Sequence, residues 1–257
     1  MRRLITFDSL GATLVGTLDL PDRRPNAGVL IVSGGNEVRH GAHRGMAMLA
    51  QELAAAGLAV LRFDRAGIGD ATGENRGYAG SEGDVRAALQ VLRSEAGVER
   101  VVAFGNCDAG AALALFGRTV GVDAVVLANP WFGDQSDTLP PPAAIRARYR
   151  ERALSPRAWW RLVSGGVDLR KLAGGLRKLA HPAPAPDLSA RVLAGVAAWG
   201  ANATVVLAKG DATAIAFADA AKGRGFRTEL VDTASHSFAG AENRAALLQV
   251  LLAKAKS

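Results

Sequence analysis

One stretch constrains the fold more than any other: Val101-Val102-Ala103-Phe104-Gly105-Asn106-Cys107-Asp108-Ala109-Gly110-Ala111-Ala112-Leu113. An apolar, β-branched run enters a tight glycine turn, and a small-residue helix leaves it. This is the strand–turn–helix pattern of a nucleophile elbow, Gly-x-Ser-x-Gly, with sulfur in place of oxygen and Ala109 in place of the last glycine. Cys107, at its tip, is the only cysteine in the chain. A strand that feeds a helix in this way suits a parallel sheet, so strand and helix should alternate around it.

The flanking sequence reads that way. Leu4–Phe7 and Ala12–Leu20 are two short strands joined by a turn at Asp8-Ser9-Leu10-Gly11. Ala27–Val32 is a continuous apolar run, as expected of a strand buried on both faces. A helix follows from about His43 to Ala56, with Met46, Leu49, Ala50, Leu53 and Ala54 at helical spacing and Gly57 as its stop. Leu58–Phe63 is the next strand, and it empties into the glycine-rich loop Asp64-Arg65-Ala66-Gly67-Ile68-Gly69-Asp70. Ser81 reads as an N-cap, with Asp84 three residues on as the acid of a capping box, for a helix reaching about Glu95. Arg100–Phe104 is the strand before the elbow, Asp108–Arg118 the helix after it, and Asp123–Ala128 another strand. After 199 the alternation resumes with a strand at Ala203–Ala208, a helix at Thr213–Lys222, a strand at Phe226–Val231 and a closing helix at Ala241–Ala255.

Between these halves the pattern breaks. Pro140-Pro141-Pro142 ends the alternation, and about sixty residues carry no strand signal. Ser155-Pro156 is a good helix start. Leu169, Leu172, Leu176 and Leu179 fall at helical spacing in two copies of Leu-Arg-Lys-Leu-Ala, and His181-Pro182-Ala183-Pro184-Ala185-Pro186 is an extended linker. The expected organisation is a core formed by 1–130 and 200–257, with a helical cap over 131–199. A length of 257 residues fits one such large domain.

In an open parallel sheet, ligand groups gather at the carboxyl ends of the strands. Cys107 follows one strand end, Asp211 another, and His236 the last. The thiolate would attack a carbonyl, the imidazole of His236 would take the thiol proton, and Asp211 would hold that imidazole in one tautomer. A cysteine at a helix N-terminus beside a histidine is a setting that favours thiolate, whereas a carboxylate at Asp108 disfavours it unless it points away. Asp211 could also simply cap the helix after it, and Asp123, Asp134 and Asp232 are rival acids. The oxyanion requires two N–H donors. Asp108 would supply one from its backbone, and Gly35 or Asn36, in the loop after Val32, the other. Arg39 and His43 flank that loop as substrate-contacting candidates. Asp64 and Arg65 are expected to tie the Gly67-x-Gly69 loop to the elbow. That loop lacks the third glycine of a dinucleotide site. No metal-ligand spacing stands out, and neither cofactor nor metal is expected.

These residues resemble those of the α/β-hydrolase superfamily, in which nucleophile, acid and base follow one another in this order. Within it the chain resembles the small hydrolases encoded beside the exosortase A system, a serine-aminopeptidase-like group. That resemblance rests on Gly34-Gly35 with Arg39, Gly41, His43 and Arg44; Leu61-Arg62-Phe63-Asp64-Arg65 with Gly67, Gly69 and Asp70; Gly105-x-Cys107-Asp108-Ala109; Gly210-Asp211 with Thr213 and Phe217; and His236-x-Phe238. It implies an α/β-hydrolase fold with a mostly parallel sheet of about eight strands, helices on both faces and a cap. It also implies a role near exopolysaccharide or sorted-protein export. The sulfur departs from the usual serine, so the peptidase activity does not carry over. Cysteine elbows occur in dienelactone hydrolases and polyhydroxyalkanoate synthases.

The expected activity is hydrolysis of an ester or acyl thioester through a Cys107 acyl intermediate. Transfer of the acyl group by the same cysteine, or a non-catalytic binding role, are the alternatives. Charge suggests the substrate. The chain has 31 basic and 24 acidic residues, a net +7. Residues 140–180 alone hold ten basic and two acidic residues, so the surplus is local. Arg157, Arg161 and Arg170 there could hold an anionic acyl donor, such as acyl-coenzyme A or an acyl carrier protein. The same basic, Leu-rich segment could instead meet an anionic membrane surface, or be a solvated face. No nucleic-acid partner is expected. The absence of a signal sequence and of any disulfide pair points to the cytoplasm.

Overall fold

The computed structural model describes residues 1–131 and 187–257. Eight strands form one sheet in the order β1-β2-β4-β3-β5-β6-β7-β8. They are β1 (Arg2–Ser9), β2 (Ala12–Asp19), β3 (Gly28–Val32), β4 (Ala59–Phe63), β5 (Val101–Asn106), β6 (Ala124–Ala128), β7 (Ala203–Ala208) and β8 (Thr228–Val231). β1 and β2 form an antiparallel hairpin and β2 runs antiparallel to β4, while every pairing from β4 through β8 is parallel. The Leu10-Gly11 turn closes the hairpin with positive φ at both residues, the geometry of a two-residue turn whose twist matches that of the strands.

The helices among the described residues are α1 (Gly45–Ala55), α2 (Glu82–Ala96), α3 (Asp108–Val120), α4 (Asp187–Trp199), α5 (Ala212–Ala220) and α6 (Ala241–Lys256). Residues of β3, β4, β6 and β7 are buried throughout, because helices cover both faces of the parallel sheet. One apolar core includes Leu89 of α2, Leu113 of α3 and Phe217 of α5, beneath Leu30, Leu61 and Val125 of the sheet. The other holds Leu49 and Leu53 of α1 and Leu247 and Leu251 of α6 beneath Ile31, Phe104 and Val126. Sheet side chains alternate between the two faces, as strand periodicity requires.

The fold agrees with the expected class, and three local expectations differ. α2 starts next to Ser81, but its hydroxyl donates to the Tyr78 carbonyl rather than capping the helix. Asp84 accepts from the Ser9 hydroxyl and the Ala66 amide, so tertiary partners have taken the acid of the expected capping box. The last strand begins at Thr228, two residues later than expected. The third difference concerns the cap. Asp187–Trp199, drawn as its C-terminal part, is a helix packed on α3, with Val192, Leu193, Val196 and Trp199 in the core. Gly195 lets it approach: a Cβ there would lie 2.4 Å from the Ala114 carbonyl oxygen. The remainder of the expected cap, 132–186, lies outside the described residues. So do Asp134, Arg157, Arg161 and Arg170.

Candidate active site

The elbow forms because everything around its tip is small. A Cβ on Gly105 would sit 2.7 Å from the Ala109 carbonyl carbon, and one on Gly110 3.1 Å from the Gly105 carbonyl oxygen. β5 can therefore turn into α3 with almost no intervening chain. Cys107 takes the turn at φ 59 and ψ −125, a conformation that non-glycine residues adopt only when their surroundings impose it. Its amide donates to the Ala128 carbonyl at 3.0 Å, and its own carbonyl accepts from the Ala111 and Trp131 amides at 3.2 and 3.0 Å. The side chain projects at the N-terminus of α3, where the helix dipole favours negative charge.

Asp211 and His236 arrive from the ends of β7 and β8. His236 Nδ1 lies 3.0 Å from Asp211 Oδ2. The other oxygen, Oδ1, accepts from the Ala214 amide at 2.9 Å and caps α5. Asp211 therefore caps α5 with one oxygen and bonds His236 with the other. Two of the rivals are engaged elsewhere: Asp123 pairs with Arg93 at 3.0 Å, and exposed Asp232 is 3.9 Å from Lys209.

The hydrogen bond with Asp211, followed by that with the Cys107 thiol, favours the imidazolium of His236 over the opposing cost of burial, and pushes its pKa up to about 10. Burial works against the charge of Asp211, but the hydrogen bonds from His236 and from the Ala214 amide hold its carboxyl below the usual range. His236 is thus bonded to the Asp211 carboxylate at Nδ1, and Cys107 adds to the stabilisation of its charged form.

Two residues that the sequence did not mark out hold the His236 backbone in place. Asn106 Nδ2 and Asn129 Nδ2 each donate to the His236 carbonyl at 3.0 Å. Asn129 is fully buried, and its Oδ1 accepts from the Ala208 amide at 2.9 Å, tying the ends of β6 and β7 together. Their signal in the sequence was position: an asparagine at the carboxyl end of each of two neighbouring strands.

The loop after β3 lies against the elbow. Gly34 is required there, because a Cβ would meet the Asn106 carbonyl oxygen at 2.4 Å. Gly35, expected as an oxyanion donor, gives its N–H to Asp108 Oδ1 at 2.6 Å. The Asp108 carboxylate therefore faces the glycine loop. Asn36 is exposed at the surface of the same loop, and its Oδ1 accepts from Asn75 at 2.8 Å. The Asp108 amide, in the first turn of α3, has no acceptor within its helix. Arg65 does tie its loop to this region, donating through Nη2 to the Gly35 carbonyl at 2.5 Å.

Arg39 does not serve as expected. It is buried, paired with Asp64 and with Asp70 at 2.9 Å, and within 3.3 Å of Thr17 Oγ1. A fully buried Asp64 demands such a partner, so the guanidinium belongs to the scaffold. His43 is exposed and lines a small crevice with Ser237, Phe238 and Gly240, beside the loop that carries His236. Tyr78 meets Trp131 edge to face at 5.8 Å, bringing the loop after β4 to the residues beside the elbow. Among the described residues no three His, Cys, Asp or Glu side chains gather as a metal site requires, and no helix is long and apolar enough to cross a membrane.

Comparison with known proteins agrees with the fold. The family model described as "Alpha/beta hydrolase family" matches residues 11–250. Among solved structures, the α/β hydrolase GrgF from Penicillium sp. sh18 is 19% identical with a TM-score of 0.66, covering 100% of this chain and 98% of that one. Est1E from Butyrivibrio proteoclasticus, solved with ferulic acid bound, is 16% identical at a TM-score of 0.63, covering 98% and 100%. A serine hydrolase without a lid from Xanthomonas campestris is 15% identical at 0.60, covering 99% and 94%. At these identities the likeness is one of fold. A search of curated proteins by sequence finds no match.

Proposed function

The chain belongs to the alpha/beta hydrolase family, and from that premise we propose that it cleaves a carboxylic ester or acyl thioester through Cys107, His236 and Asp211. The observation that carries this reading is His236 Nδ1 on Asp211 at 3.0 Å, with Cys107 held at the tip of the elbow at the N-terminus of α3.

With Nδ1 committed to Asp211, Nε2 serves the sulfur. The thiol proton passes to Nε2, forming the imidazolium that the raised pKa of His236 favours; Sγ then attacks the substrate carbonyl carbon, and the carbonyl electron pair moves onto oxygen. Collapse restores the carbonyl and expels the alcohol or thiol, which leaves with the proton from His236. A water molecule, deprotonated by the same nitrogen, then releases the acid from the Cys107 thioester. Asp211 keeps the imidazole in the tautomer that accepts at Nε2 and stabilises its charged form. The Asp108 amide and a donor from the Gly35-Asn36 loop receive the oxyanion.

Within the family, the motif residues from Gly34 to Phe238 support placing the chain with the small hydrolases encoded beside the exosortase A system. The local surplus of positive charge in 140–180 supports an anionic acyl donor in a cytoplasmic setting. The experiment is acylation with an activated ester followed by mass mapping. A thioester should appear on Cys107, be absent from Cys107→Ala, and form far more slowly in His236→Ala. Ester turnover that persists in Cys107→Ala would overturn the reading.

A further inference from the structure

Gly35 is held at both ends of its residue. Its N–H donates to Asp108 Oδ1 at 2.6 Å, and its carbonyl accepts from Arg65 Nη2 at 2.5 Å. The first bond is charge-assisted and occupies an amide that the sequence offers as an oxyanion donor. Asp108 Oδ2 stands 3.7 Å from Arg65 Nη2, outside hydrogen-bond range. The Arg65 side chain is only 3% exposed, yet its Nε and Nη1 are buried without any hydrogen-bond partner. A buried guanidinium with idle donors therefore stands in a loose ion pair with a carboxylate whose hydrogen bond goes to Gly35. Buried donors without partners are costly, so the guanidinium offers the carboxylate a second seat.

We propose that the Asp108 side chain is a positioning residue that guards the Gly35 amide: it occupies the donor in the resting protein and moves to Arg65 when a substrate carbonyl arrives. This rests on Cys107 being the nucleophile. The exchange keeps charges and hydrogen bonds matched in both states. At rest the carboxylate stands in for the oxyanion on Gly35. When the substrate oxygen takes that amide, the carboxylate closes the gap to Arg65 and engages donors that were idle. The negative charge next to the sulfur is thereby drawn towards a cation as negative charge develops on the substrate. An Asp at 108 would otherwise oppose both thiolate and oxyanion; paired with Arg65 it opposes them least during reaction.

Two readouts test this. The first uses the wild-type protein with a simple aldehyde, which adds to Cys107: Sγ bonds to the carbonyl carbon, the thiol proton passes to His236, and the oxygen becomes the anion. By NMR, the Arg65 Nε–H resonance should shift downfield on adduct formation, and the Gly35 amide should shift as its acceptor changes. An Arg65 signal that stays in place while the adduct forms would overturn the proposal. The second is the acylation rate of Asp108→Asn with p-nitrophenyl acetate, in which a Sγ–C bond forms and p-nitrophenolate leaves. A neutral acceptor holds Gly35 less tightly, so acylation should be about fivefold to tenfold faster than wild type. Slower acylation by a variant with unchanged circular dichroism would show that Asp108 only braces the loop. If Cys107 carries no adduct in any form of the protein, the nucleophile reading itself has failed. An adduct that forms fastest in wild type refutes only the guard.

Discussion

Asp211 invites a perturbation that separates its two roles, because each carboxylate oxygen does one of them. Oδ1 caps α5 through Ala214 at 2.9 Å, and Oδ2 holds His236 at 3.0 Å. Asparagine caps a helix about as well as aspartate, so Asp211→Asn should keep α5. Its amide nitrogen, however, would face His236 Nδ1 and donate to it. Nδ1 must then accept, the ring proton moves to Nε2, and the nitrogen facing the sulfur can no longer take a proton. Loss of general-base catalysis of this kind is worth roughly 10²–10⁴ in rate. Asp211→Ala should lose the same catalysis and also the cap, about 1 kcal/mol, or a fall in Tm of roughly 2–4 °C for a domain of this size. The assays are ester turnover in the steady state and thermal unfolding followed by circular dichroism. The reasoning requires near-equal activities for the two variants but separated melting temperatures. It would be refuted by an Asn variant within about threefold of wild-type kcat/KM, or by Asn and Ala variants that melt together below wild type.

Arg39→Met should destabilise the protein by about 3–5 kcal/mol in urea unfolding, because it strands the buried Asp64, while KM for a neutral ester stays unchanged; a raised KM with intact stability would put Arg39 in contact with substrate. Asn129→Ala should cost about 1–3 kcal/mol, since it orphans the Ala208 amide and leaves the His236 carbonyl with Asn106 alone, and should lower kcat more than it raises KM. The pH dependence of stability has a fixed sign. The pKa of His236 rises from 6.5 to about 10 on folding, so its stabilising contribution is complete below about pH 6.5 and is lost as pH climbs through 10. The His236 side chain is 40% exposed and solvent screening makes the slope shallow. The stability difference between wild type and His236→Gln should therefore shrink from pH 6.5 to 10, and a difference that grows over that range would contradict the geometry.

The core was legible because its signals are local. Val29 to Val32, Val101 to Phe104 and Ala124 to Ala128 are continuous apolar runs that suit only strands covered on both faces. The turn at Cys107 was legible because Gly105, Ala109 and Gly110 must be small for the chain to double back. What stayed hidden depends on contacts across long separations. Ser81 and Asp84 have the spacing of a capping box, but Asp84 meets Ser9, 75 residues away, and such pairings leave no trace in local spacing. Arg39 reads the same whether its partner is a substrate or Asp64, 25 residues on. The asparagines that hold the base are 130 and 107 residues from it. The sequence offers Gly35 as an oxyanion donor, but only the fold reveals that its N–H already has an acceptor.

The turn that carries Cys107 is built from backbone bonds to Ala128, Ala111 and Trp131 and from the small residues packed around it. None of these contacts involves the sulfur atom. The scaffold is therefore indifferent to the element at its tip, and Cys107→Ser should leave the backbone where it is. An alcohol is a far weaker acid than a thiol, and its shorter bond to carbon withdraws the reacting atom from His236. A single exchange of sulfur for oxygen would thus change the difficulty of the first proton transfer while architecture and stability stay constant. If Cys107 attacks as proposed, the protein is in that sense a ready-made comparison of two nucleophiles, with everything except the attacking atom held fixed.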